Sequence, residues 1–176
     1  MKKQLGVAVA VLGLLAACGA PWNDLDGPVK GIGMTPSGTA FWVDGNRLYV
    51  YMSSSPDACA NLKANITGKS SSLISMTLVA QGGASLTPAT YRVTTAQGEQ
   101  RVATVQFDHV NDTCQSAIGG TAQATAGTIS LSRLEAREDG QVQGTFDLSF
   151  DSDRVTGRFR GTYCDLSSRP STNTCQ

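Results

Sequence analysis

His109 is the one histidine in the chain, and so the side chain best suited to proton transfer near neutral pH. It stands beside Asp108 and three residues before Asp112, in a chain well supplied with serine. The parts of a Ser-His-Asp hydrolase are therefore nominally present. Such a nucleophile is usually presented on a Gly-x-Ser-x-Gly elbow or an equivalent constellation, and no such elbow exists here. The reading of the residues makes His109 a structural or surface histidine where a strand enters a loop. A hydrolase with a site around His109 stands as the alternative. Asp147, Asp151 and Asp153 offer the oxygen ligands that calcium takes, but no Asp-x-Asp-x-Asp-Gly loop is present. Cross-strand pairing with Arg154 and Arg158 already accounts for them. Glu135 and Glu138 lack a second carboxylate placed for glycoside hydrolysis. The sequence predicts no catalytic residue, no metal and no cofactor.

Trp42, Tyr49 and Tyr51 are the residues with the clearest potential for binding. Alternation along residues 38–52 sends Phe41, Val43, Leu48 and Val50 to one face of a hairpin and the three large rings to the other. Rings on a solvent face can stack on sugars or meet a partner protein. The structural alternative is that they pack beneath another segment of the chain. The three rings are the candidate binding surface, with an envelope protein or a glycan as the class of partner.

The N-terminus decides where any such surface works. Lys2 and Lys3 precede an apolar stretch from Leu5 to Leu15, too short for a permanent membrane span, which needs ~20 residues. This is the pattern of a secretory signal. It ends in Leu15-Ala16-Ala17-Cys18, which resembles the lipobox of bacterial lipoproteins. The resemblance implies cleavage after Ala17, a diacylglyceryl thioether on Cys18, and attachment to a membrane through two or three acyl chains. Each buried CH₂ contributes ~0.8 kcal/mol, so such an anchor is effectively permanent. Gly19, rather than Asp, follows the cysteine, and by resemblance to lipoprotein sorting this favours the outer membrane.

Loss of residues 1–17 from the 176 leaves 159, enough for one domain. It also removes Lys2 and Lys3, so that 12 of the 14 basic residues remain against 14 acidic ones, a net charge near −2. No run of like charges exists, and nothing points to a nucleic-acid partner or a polybasic membrane patch. With Cys18 set aside, Cys59, Cys114, Cys164 and Cys175 form an even set in an oxidising compartment, and two disulfides follow. No C-x₂₋₄-C pair exists to hold zinc.

The elements that would position these residues are almost all strands. Residues 18–36 are rich in Gly, Pro and Asp and read as a lipid-anchored tether, with room for one strand near Val29. Residues 37–176 form a single β domain. Asp44-Gly45-Asn46 turns the first hairpin. Ser55-Pro56 looks like a helix start, with Ser55 as the N-cap and Pro56 at the first helical position, so a short helical turn is expected near residues 56–63. Strands follow at Leu73 to Ala80, Tyr91 to Thr95 and Arg101 to Val110, the last two separated by a turn at Gln97-Gly98.

Residues 128–163 read as a three-strand antiparallel meander. A two-residue turn at Ser152-Asp153 would set Phe146 opposite Phe159 and Asp147 opposite Arg158. A turn at Asp139-Gly140 sets Ile129 opposite Phe150 and Leu131 opposite Leu148, but then leaves Arg133 facing Phe146. That mismatch predicts a β-bulge near Ser132 or Arg133. One face of the meander is greasy and needs a cover, so the domain is expected to be all-β, an antiparallel two-layer β-sandwich or flattened barrel. Cys114 and Cys164 fall at opposite ends of the meander, too far apart to join. The expected pairs are therefore Cys59–Cys114 and Cys164–Cys175.

The lipobox, the Thr87 to Val93 segment and the run from Gly144 to Cys164 (GTFDLSF…VTGRFRGTYC) together resemble small bacterial lipoproteins of unknown function. Their shared pattern is a Gly-x-Phe hairpin near the C-terminus of an all-β domain. The resemblance covers residues 38–164 and implies fold and location, with no functional residue to carry over. The expected function is that of a non-enzymatic, membrane-anchored envelope module that binds or supports.

Overall fold

The computed structural model describes residues 22–96 and 98–176. The chain enters through β1 (Asp24–Asp26) and then makes a hairpin of β2 (Gly38–Asp44) and β3 (Arg47–Ser53). A short helix α1 (Ala58–Ala64) and β4 (Ile66–Thr67) lead into β5 (Ser72–Ala80), β6 (Thr90–Val93) and β7 (Arg101–His109). After β8 (Ala122–Gln123), the long strands β9 (Ala126–Leu134), β10 (Gln141–Phe150) and β11 (Asp153–Tyr163) follow, and β12 (Thr174–Cys175) ends the chain. Eight of these strands close a ring in the order β2-β3-β5-β7-β6-β9-β10-β11, with β11 returning to β2. The fold is an all-β closed barrel with one short helix.

The ring is not wholly antiparallel, as the sequence reading had it. β11 runs parallel to β2 through Thr162↔Ala40 and Tyr163↔Phe41, and β6 runs parallel to β7 through Arg92↔Val102 and Val93↔Ala103. Consequently β6 and β7 are not joined as a hairpin, because the chain must return to the start of β7 before entering it, and Gln97 of the expected turn lies outside the described residues. Closure leaves the barrel without long free edges.

Most barrel strands alternate, and their inward residues meet in one main core. Phe41, Leu48, Met52, Ile74, Met76, Leu78, Phe107, Ile129, Leu148 and Phe159 are among the fully buried. An eight-stranded ring has an interior just wide enough for side chains to fill. Tyr91 also points inward. Its hydroxyl donates to the Thr87 carbonyl oxygen at 3.1 Å and accepts from the Thr87 amide, so the buried phenol is satisfied.

The C-terminal meander forms with the predicted faces but in a different register. Its tight turn is Asp151-Ser152, and the strands align Gly144↔Phe159 and Phe146↔Gly157 rather than ring against ring. The slip is two residues, so no side chain changes face. Glycine explains it. A methyl group on Gly144 would lie 2.8 Å from Cζ of Phe159, and one on Gly157 would lie 2.5 Å from Cζ of Phe146. Each ring therefore lies over the glycine across the strand pair, and the rings meet diagonally, centroids 6.4 Å apart. Asp147 accordingly pairs with Arg154 across two hydrogen bonds of 2.8 and 2.6 Å, not with Arg158. On the other side Ile129 faces Phe146 and Leu131 faces Gly144. The register jumps there from Gln143↔Arg133 to Gly144↔Leu131. Ser132 is the extra residue, the bulge expected at that place.

Three further differences concern the periphery. From Trp22 onward the expected tether is part of the domain. β1 pairs with β11 through Asp24↔Arg158, and Val29 and Met34 join the core. The helix starts after Asp57, which holds a left-handed conformation, so neither Ser55 nor Pro56 takes the expected place. The disulfides are Cys59–Cys164 and Cys114–Cys175, with Cα separations of 5.5 and 5.8 Å. The expected pairs, Cys59–Cys114 and Cys164–Cys175, do not form because α1 packs outside β2, beside the point where β11 delivers Cys164. The tail then runs on past the helix, and β12 aligns with β4, which brings Cys175 to the loop carrying Cys114.

Candidate functional site

Ser53, Ser72 and His109 end three neighbouring strands, and Ser72 and His109 are direct register partners. Ser72 Oγ lies 2.9 Å from His109 Nδ1. The Asp108 carboxylate, however, is not directed to the imidazole. Its Oδ1 accepts from the His109 backbone N–H at 2.9 Å and from the Ser116 hydroxyl at 2.7 Å. Ser72 is 4% exposed, and its own amide donates to Ser54 Oγ. A serine nucleophile needs access and a base oriented by a third group. What stands here is a serine–histidine hydrogen bond that ties two strand ends together, next to a loop fastened by Cys114. Ser72 had no signal in the sequence, since only the β5–β7 register brings it to His109.

The carboxylates singled out above do not converge. Asp147 is held below the usual carboxylate range chiefly by its hydrogen bonds from Arg154, and Glu135 by those from Arg133. Both are exposed surface pairs. Among the described residues no group of three His, Cys, Asp or Glu is placed to hold a metal ion.

The aromatic candidates are brought together in part. Trp42 and Tyr49 are register partners, and their rings stack at 4.9 Å with planes 6° apart. Trp42 and Tyr51 also pack against a second, smaller core of Ala40, Ala58, Leu62 and Cys164, with Leu166 of the tail over it. Burial pushes the Tyr51 phenol above its ordinary pKa, against the opposing pull of Arg169. Thus α1 and the disulfide-bonded tail cover the Tyr51 end of this face. Trp42 and Tyr49 remain half-buried, as a stacked pair at its edge. All three rings thus share one outer face and all three are half-buried rather than open, because the strand pattern alone does not show which outer face another segment will cover.

A cleft of about 570 Å³ opens elsewhere, where β6 ends and the wall between β7 and β9 is completed by residues 122–126. Four threonines and Gln123 line it together with Val93 and three alanines, so the lining is neutral and mixed. No motif marked it in the sequence. Cys18 lies outside the described residues. The chain matches no protein-family model, no curated protein and no solved structure.

Proposed function

We propose that the mature chain is a lipid-anchored module of the bacterial envelope, of the outer membrane by preference, that acts by binding rather than catalysis. It is read as akin to the small all-β lipoproteins that its lipobox and Gly-x-Phe hairpin resemble. The observation that carries the binding part is the filled interior. A barrel whose lumen is occupied by its own core residues must recognise a partner on its outside. On that outside, the Trp42–Tyr49 stack supplies large, rigid ring surface at low entropic cost. Two disulfides suit an exported, oxidising location. An envelope protein or a glycan is the class of partner.

The test is site-specific photo-crosslinking in living cells, with the reactive residue at Tyr49 and, as a control, at Thr104. A discrete adduct from Tyr49 that vanishes with Trp42→Ser, while the cooperative melt persists, supports the reading. Equal or no adducts from the two positions count against it. The hydrolase alternative rests on the Ser72–His109 hydrogen bond. It requires ester or amide hydrolysis by the purified protein that both Ser72→Ala and His109→Ala abolish.

A further inference from the structure

Trp22 is the only strongly exposed large hydrophobic side chain among the described residues, at 53% exposure. It is not loosely held. The Arg160 guanidinium carbon lies 3.4 Å from the ring centroid, and the neighbouring Asn23 side chain accepts the Arg160 backbone N–H at 2.8 Å. The next residues form β1, which pairs with the stretch of β11 that precedes its contact with β2. A large ring is thus fixed in one orientation on the outer wall of the barrel and left open to solvent.

Its place in the chain says what it faces. Only three residues lie between Cys18 and Trp22, four steps along the chain, and at most ~3.6 Å per step they span no more than ~14 Å. If Cys18 carries the acyl chains, its sulfur sits at the level of the glycerol backbones. The polar layer of one leaflet is roughly 5–8 Å deep, half the difference between the full bilayer and its hydrocarbon core. Trp22 therefore cannot leave the neighbourhood of the headgroups, and the anchor holds it there at high effective concentration. Tryptophan is the side chain that favours this layer, ring toward the acyl boundary and N–H toward water. The guanidinium stacked on its face holds the ring in place by a cation–π contact.

We propose that the Trp22–Arg160 pair is the membrane-contact point of the barrel, seating the β1–β11 wall against the phospholipid headgroups. This rests on the reading of Cys18 as lipidated. It fixes orientation as well as location, because the wall that carries Trp22 then faces the bilayer. Charge does not drive the contact. Asp24 and Asp26 stand on β1 beside Arg158 and Thr156, so the patch is close to neutral and the ring carries the attachment. Seating is accordingly insensitive to salt, unlike that of a polybasic segment.

The experiment uses full-length lipoprotein purified from membranes and reconstituted in phosphatidylethanolamine–phosphatidylglycerol vesicles. The chain has two tryptophans, so Trp42→Phe leaves Trp22 as the sole reporter and Trp22→Phe leaves Trp42. Quenching by lipids brominated near the top of the acyl chain should be several-fold stronger for the Trp22 reporter and equal in low and high salt. The mass of the N-terminal peptide is read on the same samples. A lipidated peptide with Trp22 no more quenched than Trp42 overturns the contact and leaves the anchor standing. Strong quenching of Trp22 that salt abolishes overturns the ring-led contact in favour of a charge-led one. An unmodified Cys18 overturns the anchor reading and the inference together.

Discussion

Phe159 and Gly157 illustrate how much a single position controls here. Phe159 is buried and lies over Gly144, while Gly157 makes room for Phe146. A β-carbon at Gly157 would strike both that ring and the Asp24 carbonyl of β1. The alternation of the hairpin was readable in the sequence, because a period of two shows in residue type. The pairing of ring with glycine was not, because ring against ring satisfies the same alternation. Phe159→Ala should cost about 3–5 kcal/mol, the usual range for emptying a buried aromatic site. Arg154→Ala breaks only an exposed pair with Asp147 and should cost far less, since surface ion pairs are screened and entropically expensive. Urea melts of the two variants check this, and a larger loss in the arginine variant would refute the packing described. The depressed Asp147 carboxyl also sets a sign: its contribution is present above the unfolded-state pKa and fades as pH falls through the folded one.

At the scale of elements, the disulfides decide how the outside of the barrel is dressed. Cys59–Cys164 binds α1 to the end of β11, and Cys114–Cys175 binds the tail to the loop after β7. The tail is held besides by Thr174 N–H to the Asn65 oxygen and by Gln176 N–H to the Thr67 oxygen. Non-reducing peptide mapping should yield the 59–164 and 114–175 pairs, and recovery of 59–114 with 164–175 would overturn this arrangement. Replacing Cys114 and Cys175 together by Ser removes a crosslink across 61 residues, worth at most roughly 4 kcal/mol by loop entropy. Hydrogen exchange should then rise at β4 and β12 while β9, β10 and β11 stay protected. The number of disulfides could be read from the cysteine count. Their partners could not, because pairing depends on which strand ends the closed ring makes neighbours, and the ring closes through a parallel β11–β2 contact that no hairpin pattern encodes.

For the whole molecule the governing question is attachment. Cys18→Ser should move the protein from the membrane to the soluble fraction and abolish labelling by palmitate, because acyl burial is the dominant membrane term. Label or membrane retention that survives the substitution would defeat the anchor reading. The Trp22 contact is too small to hold the protein by itself, so the variant should be released even with that ring intact. The sequence by itself determined the strand content, the inward and outward faces, the bulge at Ser132, the short helix after Pro56 and the even set of four cysteines. These all rest on local periodicity, turn chemistry and counting, which act within a few residues. Only the tertiary structure decided that the strands close into a barrel, that Ser72 meets His109, that Tyr51 is covered while Trp42 and Tyr49 stack at the edge, and that Trp22 is pinned to Arg160. Those contacts join residues far apart in the chain, and they are selected by which surfaces must be buried together, a condition no short stretch of sequence contains.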